Sequence, residues 1–357
     1  MKEENNLVVS VIIPVKNGED YLDDTLKALL NQRCEGNVQL EISIYDDASV
    51  DRTDEIIKKW KDIFLKENYL FIHSKAKTNK LGGVAYAKHQ AIIQSTGEYL
   101  CFNDSDDISS VDRIDKQLKF ILMNETPFNI LLGSNFIRIP HDSTVRFTRW
   151  ANNLTEKQLM VQCYTSNGPT VIAPTWFMSK KLYDAVGGFK TDIVSGFPED
   201  LDFFYRALRK GVIVKKVPYN LVTYRYHSNC ATFNVNEKTI WEMRVREVSE
   251  IVLSKWTSFS IWSAGKQGKL FFRSLREEEK NKVQAFCDCD EKKIGRQFLE
   301  IYDEKLRLVT HRIPIVPISK IKAPVLICVK LDLTNGCLEN YINKKNWIEG
   351  RDFFHFS

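Results

Sequence analysis

The sequence lacks the features that define several classes of protein. Its 357 residues include only 10 Pro and 16 Gly, and its 8 Cys form no C-x-x-C pair. This composition excludes collagen-like chains, disordered chains and small disulfide-stapled domains, and it favours reduced thiols. The longest apolar runs, at 7–15 and 324–329, are shorter than the roughly 20 residues of a membrane helix. The start, MKEENN, lacks a signal-peptide pattern, so we expect a cytosolic or nuclear protein without membrane contact, and favour the cytoplasm.

An excess of charge of one sign is also nearly absent. The chain carries 51 Lys+Arg and 46 Asp+Glu, which gives a net charge of +5. Residues 1–230 hold 29 basic and 29 acidic side chains, whereas residues 231–357 hold 22 and 17. The positive excess therefore lies in the last third of the chain, where it either engages RNA phosphates or forms a solvated face.

Hydrophobic periodicity predicts two α/β domains. Strands are expected at 8–15, 41–45, 69–73 and 99–103, with helices at about 21–30, 51–66 and 83–94. This alternation predicts a mainly parallel sheet. The pattern loosens between 112 and 225, where we expect helices at 113–123 and 201–210. After a linker helix at 237–256 come strands at 258–263, 282–286 and 324–331 and a helix at 265–275, so we predict domains of 1–235 and 236–357.

Acidic side chains follow two of the predicted strands. Asp46 and Asp47 follow one strand, and Asp104, Asp106 and Asp107 follow another. Ligands of open α/β sheets bind outside the carboxyl ends of the strands, and clustered carboxylates repel unless a cation or ligand donors neutralise them. The clusters therefore predict a site for Mn²⁺ or Mg²⁺ and a diphosphate. The alternative is that these acids only cap turns and helices.

A third acidic cluster begins a predicted helix. Glu199 and Asp200 stand at its start, and Arg206 lies two turns further on. A general base that activates an acceptor hydroxyl is commonly a carboxylate, and Asp200 is a candidate. The alternative is that the pair only caps the helix.

Seven motifs between residues 8 and 230 resemble, in unbroken order, those of the inverting family 2 glycosyltransferases. They are VIIP at 11–14, DDAS at 46–49, residues 82–88, DSDD at 104–107, VGGF at 186–189, ED at 199–200 with Arg206, and YRYH at 224–227. The resemblance implies a nucleotide-diphospho-sugar transferase (GT-A) fold. It also implies a metal-dependent hexosyltransferase that uses a UDP-sugar and inverts its anomeric centre.

The resemblance also implies roles for individual residues. Asp200 matches the catalytic base, and Glu199 lies in the acceptor pocket. Lys88 departs from the family pattern, which usually has Arg at that position. The implied donor-binding residues are Pro14, Asp46, Asp47, Lys88, Asp104 and Arg225, and the implied metal ligands are Asp104, Asp106 and His227.

A second nucleotide motif is nearly complete in the C-terminal domain. Residues 263–268, SAGKQG, follow a predicted strand, and Asp288 ends the next strand. This pattern is close to a dinucleotide-binding fingerprint, but Ser263 replaces its first glycine. Two interpretations stay open: a site for NAD or another nucleotide, and a Rossmann-like module that uses the turn for packing or for another anion.

The whole chain is also similar to transferases that attach galactose to queuosine in tRNA. That resemblance implies UDP-galactose as donor and the cyclopentene hydroxyl of queuosine at the wobble position of tRNA-Tyr as acceptor. Candidate RNA contacts are Arg138, Arg146 and Arg149 with Phe147 and Trp150, unless they form a solvated face. One alternative is a UDP-GlcNAc-dependent β-1,3-N-acetylglucosaminyltransferase acting on a glycan or protein. Another is a non-catalytic tRNA- or nucleotide-binding protein.

Overall fold

The chain folds into two compact units. A computed structural model describes residues 6–77, 81–303, 307–331, 334 and 336–357. The first unit comprises Met1–Met160 and Gly168–Thr239, and the second comprises Val161–Asn167 and Ile240–Ser357. Among the described residues, no helix combines the length and the apolar character needed to cross a membrane.

The first unit is built on a large mixed sheet flanked by helices. Its strands are β1 Leu7–Val15, β2 Val38–Asp46, β3 Leu70–Lys75, β4 Tyr99–Phe102, β5 Ile108–Ser109, β6 Ile130–Ile139, β7 Phe177–Ser179 and β8 Ile213–Arg225. Its helices are α1 Leu22–Leu30, α2 Thr53–Lys66, α3 Val84–Gln94, α4 Arg113–Leu122, α5 Val145–Asn153, α6 Glu156–Val161, α7 Lys180–Val186 and α8 Glu199–Arg209. Helix α9, Glu237–Ile251, leads into the second unit.

The order of these strands is β3-β2-β1-β4-β7-β6-β8-β5. β1 pairs in parallel with β2 on one side and with β4 on the other, and its residues 9–15 are all buried. A strand that is apolar on both faces needs cover on both, and burial of each large aliphatic side chain contributes roughly 1.5–3 kcal/mol. Because β1, β2 and β4 are parallel, the acids that follow them lie at one edge of the sheet.

Four strands of this sheet, β5 to β8, were not predicted from the sequence. β6 and β8 pair in parallel with register shifts around Asn135, and β7 pairs with both β4 and β6 in antiparallel orientation. β8 contains Lys216, whose Nζ donates hydrogen bonds to the backbone carbonyls of Ala151 and Asn152 at 2.7 and 2.6 Å. These hydrogen bonds to the end of α5 hold Lys216 within a strand that the local sequence does not predict.

The second unit contains a smaller sheet. Its strands are β9 Phe259–Trp262, β10 Val283–Asp288, β11 Phe298–Asp303, β12 Leu308–Pro317, β13 Val325–Ile327 and β14 Phe353–His355. Its further helices are α10 Lys266–Ser274, α11 Glu277–Lys280, α12 Glu291–Ile294 and α13 Cys337–Lys345. Strands β11, β12 and β14 were not predicted.

The strand order of the second sheet is β11-β12-β10-β9-β13-β14, and the pairs from β12 to β14 are parallel. From β9 the chain moves outward to β10 and β12, and then returns to the other side of β9 with β13 and β14. This reversal is typical of a Rossmann-like sheet. The predicted architecture, a mainly parallel α/β domain followed by a smaller α/β domain, is confirmed.

Candidate active site

Asp46 and Asp47 hold the loops at the end of β2. Asp47 is 4% exposed, and its two carboxylate oxygens accept hydrogen bonds from the backbone N–H groups of Gly82 and Gly83, each at 2.8 Å. Asp46 Oδ1 accepts a hydrogen bond from the backbone N–H of Ser49 at 2.9 Å. Both carboxylates therefore act in the turns that the sequence offered as the alternative to ligand binding. Their role in binding the donor stays a prediction.

The loop before α3 fits closely against its surroundings. Gly83 has a φ of +87°, and a Cβ atom there would lie 2.2 Å from the backbone oxygen of Val194. Only glycine combines this φ with such a close approach at little cost.

Pro14 lies in β1, opposite Tyr45 in β2, at the same edge of the sheet. Its predicted role in donor binding is likewise untested.

Lys88 connects the acids of two motifs. Its Nζ lies 3.0 Å from Glu199 Oε1 and 3.9 Å from Asp104 Oδ1, and the residue is 4% exposed. Burial alone would lower the pKa of Lys88, but the charges of Asp104, Glu199 and Asp200 raise it above its ordinary value. Lys88 therefore stays charged and ties the segment after β4 to the start of α8.

The candidate base lies in the first turn of α8. Burial, followed by the neighbouring charge of Glu199, raises the pKa of the Asp200 carboxyl to about 7, while Lys88 acts in the opposite direction. Oδ1 of Asp200 accepts a hydrogen bond from the backbone N–H of Leu201 at 2.7 Å. A carboxyl that titrates near pH 7 is well matched to general base catalysis at neutral pH.

Arg206 connects two of the motifs. Its Nε donates to Asp202 Oδ2 at 2.8 Å, one turn earlier in α8. Its two terminal nitrogens donate to the backbone carbonyls of Val186 and Gly188 at 3.0 and 2.7 Å. Arg206 therefore joins the VGGF segment to the helix that carries Asp200, which is a positioning role.

A cluster of possible metal ligands combines three types of side chain. One ligand atom each from Asp106, His227 and Cys230 lies within 4.8 Å of the others. His227 Nε2 lies 2.9 Å from Asp106 Oδ2. Two of these residues were predicted as ligands, whereas Cys230 was missed. Asp104, the other predicted ligand, does not belong to this cluster and contacts Lys88 instead, so its coordination of a metal stays a prediction.

Carboxylate oxygen, imidazole nitrogen and thiolate sulfur together suit a borderline divalent ion such as Co²⁺ or Zn²⁺ better than Mg²⁺, which prefers oxygen ligands. The residues therefore fit a divalent cation. The spacing His227-x-x-Cys230 was visible in the sequence, but its closeness to Asp106 depends on the fold.

Arg225, the last residue of β8, contacts Tyr21 and Asp24 at the start of α1. Its guanidinium lies over the ring of Tyr21, 5.2 Å from the centroid, and its Nη2 lies 2.8 Å from Asp24 Oδ2. The ring of Tyr21 also stacks on His227, with centroids 4.7 Å apart. Tyr21 and Asp24 were not predicted as site residues. Whether Arg225 binds the donor stays a prediction.

Asp107 is a buried carboxyl that supports the end of β8. Its Oδ1 accepts a hydrogen bond from the backbone N–H of Arg225 at 2.9 Å, and the residue is 1% exposed. Burial, with the charges of Asp106 and Asp104, raises its pKa well above the ordinary value. Asp107 therefore acts in the framework of the site.

Arg138 does not lie on the surface, which corrects its expected role as an RNA contact. It is 9% exposed, and its guanidinium lies 4.6 and 4.8 Å from the ring centroids of Tyr224 and Tyr226. Two more rings, those of Phe136 and Phe147, lie 5.6 Å from it. Arg138 of β6 therefore points inward, between aromatic side chains.

The nearly complete fingerprint of the second unit does form a strand, a turn and a helix. Ser263 follows β9 with a φ of +124°, a conformation that strongly favours glycine, and Gly265 precedes α10. A Cβ atom on Gly268 would lie 2.0 Å from the backbone oxygen of Ser263. Asp288 Oδ2 accepts a hydrogen bond from the backbone N–H of Ala264 and lies 3.0 Å from Lys293 Nζ. The acid of the motif is thus engaged within the unit.

Comparison with known proteins finds relatives of the first unit. Residues 10–187 match the family model described as Glycosyl transferase family 2. The putative teichuronic acid biosynthesis glycosyltransferase TuaG of Bacillus subtilis is 31% identical over 122 residues, which cover 34% of this chain and 45% of TuaG. An uncharacterized glycosyltransferase of Haemophilus influenzae is 34% identical over 120 residues, which cover 34% of this chain and 44% of that protein. The chain thus spans less than half the length of these relatives.

Solved structures share the fold. The crystal structure of S. aureus TarS gives a TM-score of 0.54 at 16% identity, covering 78% of this chain and 51% of that chain. TarS 1–349 in complex with UDP-GlcNAc gives 0.50 at 18% identity, covering 76% and 71%. The fold is therefore that of a GT-A-like glycosyltransferase. More specifically, residues 10–187, just under half of the chain, are similar to the glycosyl transferase family 2 domain.

Proposed function

We propose that this protein is a metal-dependent, inverting galactosyltransferase. It transfers galactose from UDP-galactose to the cyclopentene hydroxyl of queuosine at the wobble position of cytoplasmic tRNA, with tRNA-Tyr as the expected substrate. The observation that carries the catalytic part is Asp200, a carboxyl with a pKa of about 7 at the start of α8, beside Glu199 and Lys88. The family 2 match over residues 10–187 supports a nucleotide sugar as donor.

In the proposed reaction the chain's own residues move one proton and orient two substrates. The Asp200 carboxylate accepts the proton of the acceptor hydroxyl as the acceptor oxygen forms a bond to the anomeric carbon. The bond between that carbon and the diphosphate breaks on the opposite face, and its electron pair leaves with UDP. A single displacement inverts the anomeric centre, so an α-linked donor gives a β-linked product.

A divalent cation, when bound, neutralises the negative charge that develops on the departing diphosphate. Asp106 and His227 are the residues that would hold it, since their side chains lie 2.9 Å apart at the edge of the sheet. Lys88 is proposed to keep Asp104 oriented toward the donor. Pro14, Asp46, Asp47 and Arg225 are proposed to bind the donor, as expected from the resemblance.

The proposed acceptor rests on the resemblance of the whole chain and on two surface features that suit RNA. Arg146 and Arg149 are exposed on α5, next to the half-buried rings of Phe147 and Trp150. Basic side chains meet phosphates, and aromatic rings stack on unpaired bases. The positive excess of residues 231–357 suits the same partner. We propose that residues 1–235 form the catalytic domain and residues 236–357 a Rossmann-like accessory domain.

The test is a transfer assay with two donors and matched acceptors. The protein, with Mn²⁺, is incubated with UDP-galactose or UDP-GlcNAc and with queuosine-containing or queuosine-free tRNA of the same sequence. We expect galactose on the queuosine-containing tRNA alone, and NMR of the released nucleoside should show a β linkage. In a parallel reaction with a glycan or protein acceptor, transfer of GlcNAc would favour the β-1,3-N-acetylglucosaminyltransferase alternative. Binding of tRNA or UDP without transfer would favour a non-catalytic protein.

A further inference from the structure

The turn after β8 brings a cysteine thiol to the proposed metal ligands. Cys230 is 4% exposed, and its backbone N–H donates to the carbonyl of His227 at 3.0 Å, which closes the turn. Its Sγ accepts a hydrogen bond from the backbone N–H of His227 and donates one to the carbonyl of Arg225, each at 3.3 Å. The thiol is therefore fixed in place, with its sulfur within 4.8 Å of ligand atoms of His227 and Asp106.

The partners of the thiol are also fixed. The imidazole of His227 stacks on Tyr21, and its Nε2 points at Asp106 Oδ2 at 2.9 Å. Asp106 lies in the turn after β4, so the three ligand atoms come from two separate segments of the chain. Neighbouring groups that hold metal ligands in position strengthen the affinity for the metal.

We infer that Cys230 is a third protein ligand of the metal, so that the site holds a borderline divalent ion through oxygen, nitrogen and sulfur. The inference rests on the proposed use of a metal at this site and assigns a residue of this chain to it. Binding releases the thiol proton to solvent and leaves a thiolate on the cation. It also places the proton of the neutral imidazole on Nδ1, so the Asn229 N–H that now points at Nδ1 at 3.3 Å must turn away.

A thiolate ligand changes which ions the site prefers. Mg²⁺ favours oxygen ligands and keeps its waters, whereas Mn²⁺, Co²⁺ and Zn²⁺ accept nitrogen, and Co²⁺ and Zn²⁺ bind sulfur well. The inference therefore expects Co²⁺ and Zn²⁺ to bind more tightly than Mg²⁺. Replacing Cys230 with Ser should weaken Co²⁺ binding by at least about tenfold, given the 10–100-fold effect of losing even an indirect partner.

The test uses Co²⁺ as a spectroscopic probe of the metal-free full chain. A thiolate bound to Co²⁺ gives a near-ultraviolet charge-transfer band that oxygen and nitrogen ligands do not give. We expect this band in the wild type and its loss in Cys230→Ser. The visible Co²⁺ bands should still appear in the variant, but only at a higher Co²⁺ concentration. Cys289→Ser, which changes an exposed cysteine of the second unit, is the matched control and should keep the band.

Three results would overturn the inference: no charge-transfer band in the wild type, a band that persists in Cys230→Ser, or no saturable binding of Co²⁺. Circular dichroism and a melting curve establish that Cys230→Ser folds, and Cys230→Ala provides a second variant without a ligand atom. The sugar-transfer assay is read separately. Transfer activity without the band would contradict the inference alone, whereas the band without transfer to any acceptor would contradict the proposed function alone.

Discussion

Replacing Glu199 with Gln is expected to move the pH profile of sugar transfer toward lower pH. Burial and the charge of Glu199 raise the pKa of Asp200 to about 7, so a reaction that needs the ionised base speeds up as the pH rises through that value. Gln has nearly the same shape as Glu, and its amide oxygen can still accept a hydrogen bond from Lys88 Nζ, now 3.0 Å from Glu199 Oε1. The substitution therefore removes a charge with little change in packing.

The size of the shift follows from Coulomb's law. Two unit charges about 6 Å apart, at an effective dielectric constant of about 20, interact by about 2.8 kcal/mol. This corresponds to about 2 pKa units. Lys88 already offsets part of the negative charge of Glu199, so we expect a shift of about one pH unit, and about two as the upper limit.

The assay measures kcat/KM for transfer from about pH 5 to about pH 9. Lys88→Met should give a shift of the opposite sign, because Lys88 lowers the pKa of Asp200, and Lys88→Arg should leave the profile near that of the wild type. An unchanged profile for Glu199→Gln, or a shift toward higher pH, would refute the assignment of Asp200 as a base controlled by its neighbours.

Two further predictions concern the framework of each unit. Asp47→Asn should lower the free energy of unfolding by about 1–3 kcal/mol in urea, because one amide oxygen cannot serve both the Gly82 and Gly83 N–H groups. Asp62→Asn, on the exposed side of α2, is its control, and equal stability of the two variants would contradict the reasoning. In the second unit, the free energy of unfolding of the Ser263→Gly variant should exceed that of the Ser263→Ala variant by about 1–3 kcal/mol, because only glycine relieves the φ of +124°. If Ala is the more stable of the two, residue 263 is not strained.

The first half of the sheet could be predicted because its strands are defined by their own side chains. β1 is a continuous apolar run whose residues 9–15 are all buried, as its β-branched composition predicts. β6 and β8 could not be predicted in this way. Their register shifts near Asn135, and Lys216 of β8 finds its partners only in α5, so the stabilising contacts are tertiary.

The acids of the site could be predicted as a group because parallel strands end at one edge of their sheet. What each acid does there depends on partners that are distant in the sequence. Lys88 meets Glu199 across 111 positions, and Asp106 meets His227 across 121. The spacing of His227 and Cys230 is visible in the sequence, but only the fold brings both close to Asp106. Arg138 points inward from its strand, although Arg146 and Arg149, close by in the sequence, are exposed.

The central claim, that Asp200 is the base of a glycosyl transfer, is tested most directly by Asp200→Asn. Single-turnover transfer from UDP-galactose to queuosine-containing tRNA is measured beside the affinity for UDP in the same preparation. We expect transfer to fall by about 10²–10⁴-fold while UDP affinity stays within about twofold of the wild type, and Asp62→Asn to match the wild type in both. Transfer at the wild-type rate by Asp200→Asn would contradict the account.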